Sequence, residues 1–491
     1  MFRRSIIHIL VQAYRRFRRF RKASGHGEFQ LIHSISTEKA ATAVPLRLAL
    51  VGILVIAASS AAAADPAPET RSMSLSLERA VAIAQAENPG IAIDRARKAR
   101  AEGARVRSRQ AFSPRISFDA THLRLDSSLL DDIPVIEPGL PPVLGTRGLG
   151  ALEGRVVGAQ LVQPLINVGA WNARRKAGRA LDAAQLSLHR SRREVEVAVA
   201  EAYFGARTAR RQVEAEHKGL ATALRALRQA EAGFEQELVA PVDVLSARTR
   251  VSEMEARVAG ADARVVAAHS ILRRVLGMAG DVRLVLTDPV PRPRSPGSSR
   301  SMDQQALARR SDLQALEQGL EAAEYGVKQA RAAWLPNLSL YARYDRLYGN
   351  RPLDFDDTGW LLAVNLRWTP FAGFSQAGAL DEARAIEAET RARLQALRQK
   401  AWAEAQAAHA DWKAEVLAWN SASNGVRDAE SALELTEARY AEGLDDITAL
   451  LRAQAEELAA RTREINARFN AVIAAERYRL ALPAVDRNRS P

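Results

Sequence analysis

The feature of this sequence that most constrains its fold is an internal repeat. Four segments of the first half recur in the second half at two constant offsets. Segments 88–91 and 112–118 recur after 222 residues, whereas segments 163–165 and 234–245 recur after 206 residues. Because self-similarity of this kind is the signature of a duplicated structural unit, we expect two copies of one unit that differ mainly in one loop.

The two offsets also set the expected domain boundaries. We expect a first repeat at 65–287, a linker rich in proline, arginine and serine at 288–301, a second repeat at 302–482 and a C-terminal tail at 483–491. Clusters of proline, glycine and serine of this kind mark connections between folded units.

The first 64 residues have the pattern of an export signal. They carry ten Lys or Arg against two Glu, and they contain the apolar run Leu48–Ala58 followed by Ala61–Ala64. A basic segment, a short apolar run and small residues at a cleavage site form the order of a secretory signal. The alternative is a membrane anchor, but the run is shorter than the roughly 20 residues that span a bilayer. The segment 1–43 is longer and richer in arginine than the basic segment of a usual secretory signal. A translation start further downstream, for instance at Val44, is therefore a further alternative.

Charge and composition argue against several classes of function. The formal net charge is +13, but the chain after residue 64 contributes only +5, from 60 basic and 55 acidic residues that are interspersed. Such interspersed charge is typical of solvated helices, so we expect no nucleic-acid partner. The chain has no cysteine, and its eight histidines are scattered without the spacing of metal ligands. We therefore expect no catalytic residue, no cofactor and no metal site.

Each repeat contains two segments with the alternation of β-strands. We expect strands at about 115–125 and 153–163 in the first repeat, and at about 337–347 and 359–369 in the second. In the last strand, alternate residues form an apolar face with tryptophan at both ends, namely Trp360, Leu362, Val364, Leu366 and Trp368. This pattern is typical of a lipid-facing barrel strand, although a half-buried strand in a soluble sandwich is the alternative. Four strands cannot close a barrel and an open edge cannot face hydrocarbon, so a membrane role requires oligomerisation.

The longest segments predict helical hairpins. Proline is absent from Ala170–Ala240 and from Phe371–Leu482, and apolar or small residues recur there at a spacing of three and four. This pattern predicts antiparallel coiled-coil hairpins at about 170–278 and 376–480, with helices roughly 100 Å long. The expected hairpin tips contain Glu237, Leu238, Gly443 and Leu444.

Several short motifs, in a duplicated order, then resemble one known family. They are Leu77–Val81 followed by Asn88-Pro89, the prolines Pro114 and Pro336 before the strands, Gln163–Gly169, and Tyr440–Gly443 leading to Leu450-Leu451. Over about Leu75–Leu482 the chain resembles the TolC-type outer-membrane efflux proteins.

The resemblance implies a fold, a function and partners. The implied fold is mainly α with a membrane β-barrel, in which a homotrimer contributes twelve strands and the hairpins form a periplasmic tunnel. The implied function is the outer-membrane channel of a tripartite efflux or type I secretion system. The implied partners are outer-membrane lipid, a periplasmic adaptor protein and an inner-membrane transporter, in a Gram-negative-type bacterium.

The resemblance also implies a gate at the periplasmic end of the tunnel. Two family positions are kept, Tyr440 and Asp243, whereas a position that is often basic is Asp445 here, and Asp446 follows it. The family's first tip glycine is replaced by Glu237. The alternative for Tyr440 and Asp243 is structural: Tyr440 would be a coiled-coil core residue and Asp243 would cap the helix after Pro241.

Two other classes of protein also have export signals or helical hairpins. A periplasmic adaptor would carry one hairpin between β-rich domains, whereas this sequence predicts two hairpins and only short strands. A purely structural coiled-coil protein would not require strands flanked by tryptophan.

Overall fold

The fold is mainly helical because long segments lack proline and carry apolar residues with helical periodicity. We describe it from a computed structural model that covers residues 72–125, 152–237, 239–279, 282–296, 304–349 and 355–483. The expected export signal at 1–64, most of the tail, and Leu238 lie outside the described residues.

Two short helices, two strands and two long helices follow one another in the same order in both halves of the chain. The first half contains β1 (Ser72–Leu75), α1 (Leu77–Glu87), α2 (Pro89–Arg107), β2 (Arg115–Leu125), β3 (Leu152–Ile166), α3 (Val168–Glu235), α4 (Pro241–Leu276) and β4 (Arg283–Leu286). The second half contains α5 (Gln304–Ala308), α6 (Ser311–Arg331), β5 (Asn337–Gly349), β6 (Phe355–Arg367), α7 (Ser375–Ala441) and α8 (Ile447–Ala481).

Side chains cap the helices where the sequence leaves the helical pattern. The Asn88 Oδ1 atom accepts the Gly90 N–H at 2.8 Å, and the Asn167 Oδ1 atom accepts the Ala170 N–H at 2.8 Å. Such caps satisfy backbone donors that have no partner inside the helix. They fix where α2 and α3 begin.

The long helices of each half pack as antiparallel pairs. Arg248 and Arg257 on α4 form ion pairs with Glu231 and Glu216 on α3, so the chain returns alongside itself. Small and medium-sized apolar side chains fill the contact between the two helices. The buried residues on α4 include Ala247, Val251, Met254, Val258 and Ala261. In the second half, Trp419 Nε1 on α7 donates to Glu464 on α8 at 3.0 Å.

The four central strands form one antiparallel sheet in the order β2-β3-β5-β6. The middle pair, β3 and β5, joins the two halves of the chain, because Leu161 pairs with Ala342. The register of β3 shifts between Pro164 and Ile166, since proline cannot donate to the ladder. β3 and β5 extend a few residues beyond their expected ends, and β6 ends just before Trp368.

A second, smaller sheet lies in the main hydrophobic core. It pairs β1 with β4 in parallel, and the sequence analysis did not predict it. Buried Tyr203 on α3 ties this sheet to the start of the linker: its hydroxyl donates to the Leu75 carbonyl at 2.8 Å and accepts the Asp288 N–H at 2.9 Å. The Asp288 carboxylate in turn accepts the Leu77 N–H at 2.7 Å. The linker therefore begins as part of the core.

The repeat motifs at Asn88 and Arg310 make the same kind of contact in the two halves. Asn88 Nδ2 donates to the Val275 carbonyl at 2.7 Å, and Arg310 Nη1 donates to the Ala481 carbonyl at 3.4 Å. These carbonyls belong to the last turns of α4 and α8, where backbone acceptors lack helical partners. Arg310 is almost fully buried, and Asp312 pairs with it at 2.7 Å.

Candidate functional site

The exposed surfaces of the sheet and the two turns of the long helix pairs carry the candidate functional residues. Within the described ranges, no group of His, Asp or Glu side chains is placed to hold a metal ion. None of the described helices is both long and apolar enough to cross a membrane.

Part of one face of the four-stranded sheet is apolar from edge to edge, and we call this side the apolar face. Residues that pair in antiparallel strands point to the same face, and Val364 pairs with Leu340 while Trp360 pairs with Tyr344. The same face continues through Leu161 and Ala159 on β3 to Ile116 and Phe118 on β2.

This apolar face is open to the surroundings of the chain. Phe118 is 82% exposed, Trp360 79% and Val364 64%. A contiguous exposed apolar surface of this kind marks contact with a membrane or with another protein. Leu362, Leu366 and Trp368 are also exposed.

Aromatic residues cluster where the sheet meets the helices. Trp368 Nε1 donates to the Trp334 carbonyl at 3.0 Å, and Phe371 and Phe374 form an edge-to-face pair with ring centroids 5.6 Å apart. Both phenylalanines are exposed. Aromatic side chains of this kind are enriched at membrane–water interfaces. Of these aromatic residues, the sequence analysis identified only Trp368 as a functional candidate.

The turns of the two helix pairs have equivalent backbone conformations. Glu237 and Gly443, which are 206 positions apart, have φ angles of +57° and +72°. Glycine adopts this left-handed conformation without steric cost, whereas glutamate does not. Leu444, beside the second turn, is 62% exposed.

Two acidic residues of the second turn have local partners. Asp446 Oδ1 accepts the Ala449 N–H at 2.8 Å and so caps α8. Asp445 receives two hydrogen bonds from Arg439, at 2.8 and 2.9 Å. These bonds hold the pKa of the Asp445 carboxyl below its usual value. Sequence reasoning missed Arg439, although its charge is opposite to that of Asp445 six positions later.

Tyr440 and Asp243 of one chain lie close enough for the charge of Asp243 to act on the Tyr440 phenol. Burial, with a contribution from the Asp243 charge, raises the pKa of the Tyr440 phenol. Tyr440 packs against the cluster of Ala226, Ile447 and Leu450. The Asp243 carboxylate accepts the Ala240 N–H at 3.2 Å. Tyr440 is therefore part of the helix-packing core and Asp243 caps α4, which are the structural roles given above as the alternative to a gate. In the described part of the chain, the Tyr440 hydroxyl forms no hydrogen bond.

Comparisons with known sequences identify a family. The sequence model of a family described as outer membrane efflux protein matches residues 80–278 and 303–482. The chain is also 28% identical over 337 residues to the protein CyaE of Bordetella pertussis, and the alignment covers 65% of this chain and 69% of that protein.

Solved structures share the fold at low sequence identity. A membrane protein from Pseudomonas aeruginosa matches with a TM-score of 0.70 at 20% identity, over 82% of this chain and 93% of that chain. The outer membrane protein VceC from Vibrio cholerae matches with a TM-score of 0.68 at 19% identity, over 82% of this chain and 95% of that chain.

Proposed function

The chain belongs to the outer membrane efflux protein family, and we propose that it is the outer-membrane channel of a tripartite efflux or type I secretion system. In this role it passively conducts substrates from a periplasmic adaptor and an inner-membrane transporter to the exterior. It catalyses no reaction itself.

The observation that carries this proposal is a sheet with an exposed apolar face and two unpaired edges. In the described part of the chain, β2 and β6 each have one neighbouring strand. Unpaired backbone groups cannot face hydrocarbon, so the edges of a membrane sheet must pair with other copies. Three chains would give a closed barrel of twelve strands, with Phe118, Trp360 and Val364 facing lipid.

The helices support the same assembly. α2 leads into edge strand β2, and edge strand β6 leads into α7. α7 is mostly exposed, including Leu417 at 66% and Leu435 at 64%. A helix of this length needs tertiary packing on its apolar side chains. Contact between α7 of one copy and the 19 residues of α2 in the next would close the part of a tunnel nearest the barrel. The 68 residues of α3 would give the whole tunnel a length of about 100 Å.

The turns of the helix pairs are the proposed docking ends for the adaptor. Val242 and Leu245 follow the first turn and Leu444 lies beside the second, and all three are apolar and more than half exposed. Exposed apolar residues at the end of a rod are suited to contact with a partner. We propose that the periplasmic adaptor contacts these residues.

Two measurements test the proposed channel. The protein should fractionate with the outer membrane and migrate on gels as a trimer until it is boiled, because a closed barrel resists unfolding by detergent. Purified trimer added to planar bilayers should produce discrete conductance steps. A monomer without conductance would contradict the proposal.

Export is tested by the mass of the mature protein, which should correspond to cleavage near Ala63 or Ala64.

We further propose that Tyr440 and Asp243 of neighbouring chains hold the periplasmic end of the tunnel closed. The phenol hydroxyl is a good donor, and a hydrogen bond to a charged acceptor contributes about 1.5 to 3 kcal/mol. An adaptor could then open the tunnel by binding the open state more tightly. Asp445 adds little repulsion, because Arg439 neutralises it.

The gate is tested by Tyr440→Phe combined with Asp243→Asn. Asparagine keeps an acceptor for the helix cap, so the turn should stay folded while the contact between chains weakens. Single-channel conductance should rise with no loss of trimer. The matched control, Tyr478→Phe with Asp262→Asn, changes the same groups away from the turn and should leave conductance unchanged. Unchanged conductance in the first variant would leave only the structural roles.

A further inference from the structure

The side of the four-stranded sheet opposite the apolar face, here called the polar face, carries one row of residues that crosses all four strands. Asp119 on β2 pairs with Gly158 on β3, Gly158 pairs with Asp345 on β5, and Asp345 pairs with Gly359 on β6. Paired residues share a face, so two carboxylates and two glycines alternate across the sheet. Phe118, one position from Asp119, lies on the opposite, apolar face.

Arg343 joins the two carboxylates of this row. Its Nε atom lies 2.8 and 2.7 Å from the two oxygens of Asp345, and its Nη2 atom lies 3.0 Å from Asp119 Oδ2. All three side chains are only partly exposed. Charge-assisted hydrogen bonds of this geometry fix side chains in place, so the charges have defined positions on the face.

Glycine at position 158 is what lets the carboxylates converge. A Cβ atom there would overlap Asp345 Oδ1 and would lie 3.1 Å from Asp119 Oδ2. Glycine weakens a strand and often marks a close approach, and here the approaching groups are the two carboxylates. Gly359, at the far end of the row, leaves open space beside Asp345.

The row carries a local excess of negative charge. Two carboxylates and one guanidinium give one net negative charge per chain. Asp357, which lies on the same face two positions before Gly359, adds a second negative charge. Apart from Arg343, the positive residues that the described strands place on this face are Arg115 and Arg367, and both lie at the helix end of the sheet. Arg115 is four residues from Asp119, about 13 Å along the strand. That distance exceeds the screening length of physiological salt.

We propose that Asp119, Asp345 and Arg343 form a ring that makes the barrel selective for cations. The assignment rests on the proposed function, in which the polar face lines the barrel of a trimer. Three chains then place three net negative charges around the pore at one level. Charge of one sign in a confined channel concentrates ions of the opposite sign.

The size of the effect follows from the radius expected for the lumen of a barrel of twelve strands. Three unit charges about 10 Å from the pore axis change the potential there by about one kT in 0.1 M salt. Such a change raises the concentration of one ion and lowers that of the other, so the cation-to-anion ratio changes about sevenfold.

Two single substitutions should move selectivity in opposite directions. Asp119→Asn removes one negative charge per chain while the Arg343–Asp345 pair remains, so the K⁺-to-Cl⁻ permeability ratio should fall about sevenfold. Arg343→Gln removes the positive charge, so the ratio should rise. The ratio is obtained from the reversal potential of purified trimer in planar bilayers under a KCl gradient.

The control removes a similar pair from the opposite face. Arg346 and Asp356 form an ion pair at 2.7 Å on the apolar side of the sheet, so Arg346→Gln with Asp356→Asn should leave the ratio unchanged. Suppose that Asp119→Asn and Arg343→Gln form conducting channels but change the K⁺-to-Cl⁻ permeability ratio no more than this control does. That result would overturn the assignment of the ring and leave the proposed channel function standing. If the wild-type protein formed no channels, both the proposed function and the assignment would be wrong.

Discussion

Substitution of Val364 by arginine tests whether the apolar face of the sheet contacts lipid. Val364 is 64% exposed, and it pairs with Leu340 on the same face. The matched substitution is Ala363→Arg, on the adjacent position of the same strand. Since successive residues point to opposite faces, the two variants place one charge on the two sides of one sheet.

The expected magnitude follows from the position of Val364 between two tryptophans. Trp360 and Trp368 are eight positions apart, which at 3.3 Å per residue is about 26 Å along the strand. A strand tilt of about 40° reduces this to roughly 20 Å of height, close to the 25 Å apolar band of a membrane barrel. Val364 lies halfway, near the midplane, where arginine on the lipid face costs about 2 to 4 kcal/mol per chain.

The assay is the fraction of protein recovered from the outer membrane as a heat-sensitive trimer. Val364→Arg should lower this fraction strongly, whereas Ala363→Arg should assemble nearly as well as wild type, because its charge faces the solvated side. Equal losses in the two variants would refute a lipid-facing strand. Val364→Leu, which conserves apolar character, should assemble normally.

Two further predictions concern the helical part of the protein. Tyr203→Phe leaves the partly buried Asp288 N–H without its acceptor and should lower the free energy of unfolding by about 1 to 3 kcal/mol, measured by urea denaturation. Tyr478→Phe, which loses no described hydrogen bond, should have little effect. Glu237→Gly should relieve about 1 kcal/mol of backbone strain and so slow amide exchange at its turn. Gly443→Ala should introduce a strain of similar size and so speed amide exchange at the other turn. Faster exchange in Glu237→Gly would contradict the strain.

Much of the architecture could be predicted from local sequence patterns. The absence of proline and the spacing of apolar residues predicted the long helices, because helical periodicity is a property of neighbouring residues. Alternation around Val364 predicted an apolar strand face for the same reason. The motifs that resembled outer-membrane efflux proteins identified the family, which the comparison confirmed.

Contacts between distant segments could not be predicted in this way. The small sheet of β1 and β4 joins segments more than 200 residues apart, and each strand has only four residues. So short a segment carries too little periodicity to identify a strand. The row from Asp119 to Asp345 likewise depends on the register of three strands, which the pairing of their backbones decides.

The repeat motif at Asn88 and Arg310 shows where the two kinds of information meet. The sequence by itself determined that these two positions correspond. Only the tertiary structure decided what they bind, namely the Val275 and Ala481 carbonyls at the ends of α4 and α8. The physical reason is that a helix end leaves acceptors unpaired whatever its sequence, and folding alone decides which distant donor reaches them.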